Sequence, residues 1–188
     1  MKQNLISEAT VMEEVKKAIA QTQKIDPETI RPDQSLMQDL GAESLDFLDI
    51  NYRLEQVFGI KTARHFVLEH IEEMFGEGVA IDENGQLTDK AVALLKIRLG
   101  EENTKELRPG IDMDEISSLI TVQGMARVVL DILDTLPEKC SSGGHSAWTV
   151  ENGTRIKCGE CGDYATFTDG DTLTQEWLRA VQDEKKIF

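Results

Sequence analysis

The sequence is poor in aromatic residues, in cysteine and in long apolar runs. Aromatic residues make up 5% of the 188 residues, and there are only three cysteines. No apolar run approaches the roughly 20 residues that a membrane-spanning helix needs. The first nine residues also lack the apolar stretch of a secretory signal. These absences predict a cytoplasmic protein whose helices pack through aliphatic side chains.

Basic residues are scarce relative to acidic ones. The chain has 20 lysines and arginines against 35 aspartates and glutamates, a formal charge of −15. Nucleic-acid binding gains most of its affinity from neutralising phosphates, so this charge argues against a DNA or RNA partner. It favours basic protein partners, whose approach an acidic surface accelerates. Acidity that serves only solubility is the alternative.

Apolar residues at helical spacing predict helices over residues 8–23, 44–58 and 121–133. Ser7 is a candidate N-cap for the first helix, and Gly59 is the expected end of the second. The loop between these two helices contains two isolated apolar residues. We expect Ile30 and Leu36 to anchor that loop against the helices.

A long segment, residues 61–112, separates the second and third of these helices. It contains two further helical patterns, at about 63–75 and 88–99. Their apolar faces predict that the segment packs against the flanking helices, where it would reshape a cavity or add a partner surface. A tolerated surface elaboration is the alternative, since long loop insertions cost little stability. His65 and His70 fall five residues apart, not on one helix face, and predict no catalytic site.

The composition changes after Pro137, where Gly, Ser, Thr and Cys dominate and short β-prone runs appear. A last helix is predicted at about 173–184. These changes predict two domains: a helical domain over 1–136 that contains the insert at 61–112, and a small C-terminal module over 137–188.

All three cysteines and one histidine fall within 22 residues, in the pattern Cys140-x4-His145-x12-Cys158-x2-Cys161. Zn²⁺ prefers four tetrahedral nitrogen and sulfur ligands, and three cysteines with one histidine are a standard closed set. The spacing therefore predicts structural zinc in a zinc-ribbon-like module. A disulfide between Cys158 and Cys161, or unrelated thiols, is the alternative; a reducing cytosol disfavours the disulfide.

Ser44 stands where a loop becomes a helix, inside the segment 39–46, Asp-Leu-Gly-Ala-Glu-Ser-Leu-Asp. A serine in such a place often serves only as an N-cap. It is also a suitable modification site, because a phosphodiester on its hydroxyl would meet free backbone N–H groups and the positive end of the helix dipole.

This segment, followed by Leu-Asp-Ile and Leu-Glu-Gln-Val-Phe-Gly-Ile, resembles acyl carrier proteins around their modified serine. The resemblance covers about residues 8–60 and 112–135. It implies a mainly α fold, a helical bundle here enlarged by the insert and followed by the zinc-ribbon-like module with its final helix. It also implies that a phosphopantetheinyl transferase attaches 4′-phosphopantetheine to Ser44. The chain would then carry acyl groups as thioesters between enzymes of a fatty acid, lipid or specialised acyl pathway, without being an enzyme itself.

The resemblance further implies which residues meet the partner enzymes. These expected partner-binding residues are Glu43, Leu45, Asp46, Asp49 and Glu55. Position 43 usually carries aspartate in the family, and glutamate keeps the charge. The insert is the larger departure, and it leaves the acyl group open. A zinc-ribbon interaction or nucleic-acid-binding protein without a prosthetic group is the alternative function, which the acidic charge disfavours.

Overall fold

The computed structural model describes residues 2–100, 104 and 107–188; residues 101–103 and 105–106 of the expected insert lie outside the described residues. The fold is mainly helical. The helices are α1 (Glu8–Gln23), α2 (Ser44–Phe58), α3 (Val67–Phe75), α4 (Asp89–Leu99), α5 (Met113–Ile116), α6 (Val122–Leu133) and α7 (Gly170–Lys185), and the strands are β1 (Trp148–Glu151) and β2 (Arg155–Cys158). Within the described ranges, none of the helices is long and apolar enough to cross a membrane.

The chain forms two compact units, each built from two stretches of sequence. The first unit comprises Met1–Thr62 and Thr121–Gly170, and the second comprises Ala63–Ile120 and Asp171–Phe188. This division differs from the boundaries expected from the sequence, which grouped the last helix with the cysteine-rich module. The physical reason is that the apolar face of α7 is buried in the core of the second unit.

The core of the first unit lies between α1, α2 and α6, with α1 packed on the other two helices. The buried side chains come from the apolar stripe of each helix and include Val11, Val15, Ile19, Ile50, Leu54, Phe58, Val122, Met125, Val129 and Ile132. Ile30 and Leu36 are also buried, which confirms that they anchor the loop before α2. The backbone of this loop bonds to the start of α6, where Val122 donates its N–H to the Gln34 carbonyl.

Local capping explains why the helix ends agree with the sequence prediction. The Ser7 hydroxyl accepts the backbone N–H of Thr10 at 3.1 Å, so α1 begins where predicted. Gly59 has φ of 72°, the left-handed conformation that ends a helix at low cost in glycine. The predicted bounds of α1 and α2 are therefore confirmed, and α6 begins one residue after the expected Thr121, which is its N-cap.

The second unit has an apolar core of its own. Its fully or largely buried residues come from α3, α4, α7 and the loops between them, and are Leu68, Ile71, Ala80, Leu87, Ala91, Val92, Leu94, Leu95, Leu107, Leu178 and Val181. The apolar stripes of the insert thus pack against each other and against α7. The sequence predicts burial of these stripes against the flanking helices, because the contribution of α7 is not visible in the local pattern.

Helix α3 begins later than expected, at Val67 rather than near residue 63. The backbone N–H groups of Arg64 and His65 donate to the carboxylate of Asp171, at 2.9–3.1 Å, instead of entering a helical turn. Phe66 precedes the helix and its side chain is more than half exposed. A long-range contact therefore overrides the local helical pattern here.

The two strands form an antiparallel hairpin within the first unit, with Trp148 opposite Cys158 and Glu151 opposite Arg155. The turn contains Asn152 and Gly153, both with positive φ, as tight hairpin turns require. Arg155 connects this hairpin to α2.

The Arg155 guanidinium donates to the Gln56 carbonyl at 3.0 Å and lies over the ring of Tyr164. A Cβ atom at Gly59 would lie 2.9 Å from this guanidinium, so glycine at position 59 also makes room for the contact. The hairpin therefore packs against the end of α2 through one arginine.

We predict that Leu94→Ala destabilises the second unit by about 2–5 kcal/mol, because Leu94 is fully buried and the truncation leaves a cavity. Ile97→Ala on the same helix is the control, since Ile97 is exposed and should change stability little. Amide hydrogen exchange should lose protection in α3, α4 and α7 together. Loss of protection in α3 and α4 while α7 stays protected would contradict the shared core.

Candidate functional site

Ser44 is the first residue of α2, and its side chain is exposed. It is not the N-cap: that position belongs to Glu43, whose backbone N–H donates to the Asp46 carboxylate at 2.8 Å. This bond from the Glu43 N–H is the first cause of the lowered pKa of Asp46. The Ser44 hydroxyl has no hydrogen-bond partner within the part of the chain that the structure describes. Its side chain is therefore free of the capping role that the sequence left open.

The loop before Ser44 is held in place by its own hydrogen bonds. The Asp39 carboxylate accepts the backbone N–H of Ser35 at 2.7 Å, and Ala42, which is buried, donates its N–H to the Leu36 carbonyl at 2.8 Å. Gly41 has φ of 69° with open space around the position of a Cβ. The backbone thus leaves the approach to Ser44 uncovered on the side of Gly41.

An exposed apolar stripe runs along α2 from Ser44. Leu45, Leu48 and Tyr52 are 76%, 57% and 59% exposed and follow one another at spacings of three and four. Such spacing places them on one face of the helix. The partner-binding residues expected from the sequence include Leu45 but neither Leu48 nor Tyr52. The sequence pattern that could have revealed this stripe is a second set of apolar residues at helical spacing, next to the buried set of Ile50, Leu54 and Phe58.

Asp49 connects α2 to α1. Its carboxylate accepts the Thr22 hydroxyl at 2.6 Å and the Arg53 Nε–H at 2.8 Å. The hydrogen bond from Thr22, and next the bond from Arg53, lower the pKa of Asp49. The side chain is less than half exposed. Asp49 therefore has a structural contact in addition to its place on the helix surface.

Glu55 does not lie on the exposed face, contrary to the expectation from the sequence. The residue is 8% exposed, and its Oε1 accepts both the backbone N–H and the hydroxyl of Thr62, at 2.9 and 2.8 Å. The carboxylate thus satisfies buried polar groups of the chain segment that follows α2. It is not available to a docking partner.

The four metal-ligand residues predicted from the sequence converge on one point. The sulfur atoms of Cys140, Cys158 and Cys161 and a ring nitrogen of His145 all lie within 4.8 Å of one another. Each cysteine is a free thiol. Cys140 and His145 flank a turn, whereas Cys158 ends β2 and Cys161 follows it by three residues. Two short arms thus supply two ligands each.

The distances between these atoms suit a tetrahedral zinc ion. Bond lengths of about 2.3 Å to sulfur and about 2.0–2.1 Å to nitrogen place two sulfurs about 3.8 Å apart, and a sulfur and a nitrogen about 3.6 Å apart. The sulfurs of Cys140 and Cys161 are separated by 3.8 Å. His145 Nδ1 lies 3.6 Å from the Cys140 sulfur and 3.5 Å from the Cys158 sulfur. The donor set therefore fits the ion in both chemistry and geometry.

Backbone N–H groups make two of the thiols acidic. Burial opposes ionisation of Cys140, but the N–H groups of Gly143 and His145 outweigh it and lower its pKa to about 6. N–H groups of Cys161 and Glu160 likewise lower the pKa of Cys158. The Cys161 pKa is raised to about 11: the N–H of Asp163 favours the thiolate, but burial and the two neighbouring thiols outweigh it. The backbone thus favours the thiolate at Cys140 and Cys158, which is the protonation state that a metal ligand needs, whereas Cys161 keeps its proton until a cation is bound.

Two supporting residues of this cluster were missed by the sequence analysis. Gly143 donates its N–H to the Cys140 sulfur at 3.4 Å, and a Cβ at this position would lie 2.2 Å from the His145 ring. The indole Nε1–H of Trp148 donates to the Pro137 carbonyl at 2.7 Å and holds the strand beside the first arm. The pair of glycines between Cys140 and His145 was the available signal for the first of these.

Comparison with known proteins places the attachment segment in a family. The family described as "Phosphopantetheine attachment site" matches residues 13–80. The acyl carrier protein AcpXL of Mesorhizobium japonicum is 47% identical over 53 residues, which cover 28% of this chain and 57% of that protein. AcpXL of Rhizobium meliloti is 54% identical over 43 residues, 23% of this chain and 45% of that protein. The chain thus spans about half the length of these two relatives.

A third relative is covered more fully. The acyl carrier protein of Thermosynechococcus vestitus is 34% identical over 56 residues, which are 30% of this chain and 69% of that protein. The attachment-site match at residues 13–80 includes Ser44. The coverage of this relative and the attachment-site match together show that the chain belongs to the acyl carrier protein family.

Proposed function

We propose that Ser44 carries 4′-phosphopantetheine and that the chain transports acyl groups as thioesters on this arm. The observation that carries the proposal is the exposed, unpartnered hydroxyl of Ser44 at the first residue of α2, inside the matched attachment segment. The residues present fit the group: the first N–H groups of α2 and the helix dipole would stabilise the phosphodiester. The arm would supply the thiol that bears the acyl group, so no cysteine is needed nearby.

The docking surface that we propose for partner enzymes combines charge and apolar area. It consists of Glu43, Leu45, Asp46 and Asp49, to which the structure adds the exposed Leu48 and Tyr52. Carboxylates on such a surface accelerate encounter with basic enzymes, while the apolar side chains supply contact area. The expected partners are a phosphopantetheinyl transferase and the enzymes that load and process the acyl chain.

In this proposal the chain is a substrate for other enzymes and has no catalytic residue. Acyl carrier proteins are carriers rather than enzymes, and this supports the same role here. A cytoplasmic location, and a fatty acid, lipid or specialised acyl pathway, remain part of the proposal. The alternative of a nucleic-acid-binding zinc ribbon is less favoured, since the net charge is −15.

We also propose that Cys140, His145, Cys158 and Cys161 hold one structural Zn²⁺. Four protein ligands close the coordination shell, as is typical of structural rather than catalytic zinc. The hairpin that supplies two of these ligands also carries Arg155, which contacts α2. The ion would thereby hold the hairpin against the end of the helix that Ser44 begins.

Incubation with coenzyme A, Mg²⁺ and a broad-specificity transferase should add one phosphopantetheine group to the wild-type chain, as measured by intact mass. Ser44→Ala should abolish the addition, and its helix content should stay unchanged because the cap is supplied by Glu43 and Asp46. Ser142→Ala, which removes an exposed serine hydroxyl elsewhere in the chain, is the control and should be modified normally. A wild-type chain that several transferases leave unmodified would overturn the proposal.

Removal of charge near Ser44 should slow this modification at low salt. Asp46→Asn and Asp49→Asn keep an oxygen that can accept the present hydrogen bonds, so they test charge with little loss of capping. The rate constant kcat/KM should fall several-fold at low salt, and the deficit should shrink at high salt, because the distance over which exposed charges act falls to about 3 Å at 1 M.

Glu13→Gln is the control for this measurement, because it removes the same charge from the exposed face of α1. It should leave the modification rate close to that of the wild-type chain. Equal slowing by Glu13→Gln, or a deficit that salt does not change, would argue against electrostatic docking on α2.

Purified protein should retain one Zn²⁺ per chain through dialysis, and Cys158→Ser should lose it. Gly143→Ala should weaken zinc binding although it removes no ligand, because the new Cβ would displace the His145 ring. Ser142→Ala, in the same turn, should have no effect. Metal analysis measures the stoichiometry, and hydrogen exchange should show lost protection in β1 and β2 but not in α1 and α6. A metal-free hairpin with full protection would contradict a structural role.

A further inference from the structure

Three potential metal ligands lie close together in the second unit. They are distant in sequence from the cysteine cluster, and none of them is a cysteine. His65 precedes α3, His70 lies within it, and Asp171 lies in the first turn of α7. A ring nitrogen of each histidine and a carboxylate oxygen of Asp171 all lie within 4.8 Å of one another. The two rings are 5.5 Å apart at an angle of 71°. The fold thus joins residues that are about 100 positions apart in the chain.

The distances leave room for one ion. His65 Nδ1 lies 3.5 Å and His70 Nε2 lies 2.9 Å from Asp171 Oδ1. Metal–ligand bonds of about 2.0–2.2 Å place neighbouring donor atoms about 3.0–3.5 Å apart in octahedral or tetrahedral arrangements. Small movements of the exposed His65 ring would therefore complete the coordination. Imidazole and carboxylate together are donors that suit zinc and other divalent first-row metals.

The surroundings hold two of the three donors in position. Asp171 accepts the backbone N–H groups of Arg64 and His65. Burial raises its pKa, but these bonds and the His70 ring outweigh burial and keep its pKa low. His70 is 1% exposed. Such fixed donors lose little freedom when an ion binds.

The other ring nitrogen of His70 faces a carboxylate and an amide. His70 Nδ1 lies 3.7 Å from a Glu73 carboxylate oxygen and 3.5 Å from the Gln175 side-chain amide. Metal-bound histidines donate their second N–H to acceptors such as carboxylates, which fixes the ring. The Gln175 Nε2 amide is itself a donor, so of these two groups only Glu73 can accept that proton. Coordination through Nε2 requires that the ring proton reside on Nδ1, that the Glu73 carboxylate move closer to accept it, and that the ion replace the present hydrogen bond between His70 Nε2 and Asp171.

We propose that His65, His70 and Asp171 form a second metal site, which binds a divalent transition metal such as Zn²⁺. It has three protein ligands, no sulfur, and its remaining coordination positions open to solvent beside the half-exposed His65. The ion fastens the segment before α3 to the first turn of α7. Because it binds the folded unit, it stabilises that unit by mass action as its concentration rises. This site does not depend on the modification of Ser44.

The test uses the full-length protein with its cysteine site already filled by one equivalent of Zn²⁺. Titration with Co²⁺ should reveal a second equivalent whose visible spectrum lacks sulfur-to-cobalt charge transfer, because no thiolate is present. His65→Gln should weaken this binding at least tenfold. His65 is exposed, so the variant should fold, and circular dichroism checks this. Glu77→Gln, an exposed carboxylate in the turn after α3, should bind Co²⁺ as the wild-type chain does.

A second readout follows the same titration by imidazole nitrogen NMR. Zn²⁺ added beyond the first equivalent should shift the resonances of His65 and His70 and leave those of His145 unchanged. Three results would overturn the proposal: no second equivalent, a second equivalent with sulfur charge transfer, or unaltered affinity in His65→Gln. None of these outcomes bears on the phosphopantetheine arm, so this site and the carrier function succeed or fail separately.

Discussion

The burial of one face of α2 determines where Ser44 lies. Ile50, Leu54 and Phe58 are completely buried, and α2 packs on α1, so the orientation of the helix is set along its length. The Glu43–Asp46 hydrogen bond then closes the first turn without using the serine. The hydroxyl, the docking face and the hairpin contact at the far end all depend on this packed helix.

The acidic side chains of α2 differ in what they do. Glu55 satisfies Thr62 inside the fold, Asp49 joins α2 to α1, and Asp46 completes the helix cap. Burial thus withdraws Glu55 from partners, whereas the partly exposed Asp46 and Asp49 keep their charge at the surface. The exposed Leu45, Leu48 and Tyr52 give the proposed docking surface an apolar component, which charge alone could not provide.

Local signals predicted the parts of the fold that depend on local physics. The bounds of α1 and α2 followed from a capping serine, a terminal glycine and a 3.6-residue apolar period. The cysteine cluster followed from spacing, because its ligands lie within 22 residues. Features that depend on distant chain segments were not predictable in this way. Asp171 delays the start of α3, and α7 completes the core of the insert. Glu55 is buried by a threonine seven residues later, beyond one helical turn.

The central claim is that the chain works as a carrier with its arm on Ser44, and its state in the cells that naturally make it tests this most directly. Trypsin should release residues 25–53 as one peptide, because the Arg31–Pro32 bond resists cleavage. Fragmentation mass spectrometry of protein isolated from those cells should find phosphopantetheine on Ser44, with part of it bearing an acyl thioester whose mass identifies the cargo. The same peptide found only unmodified, in cells whose other carriers bear the arm, would contradict the account.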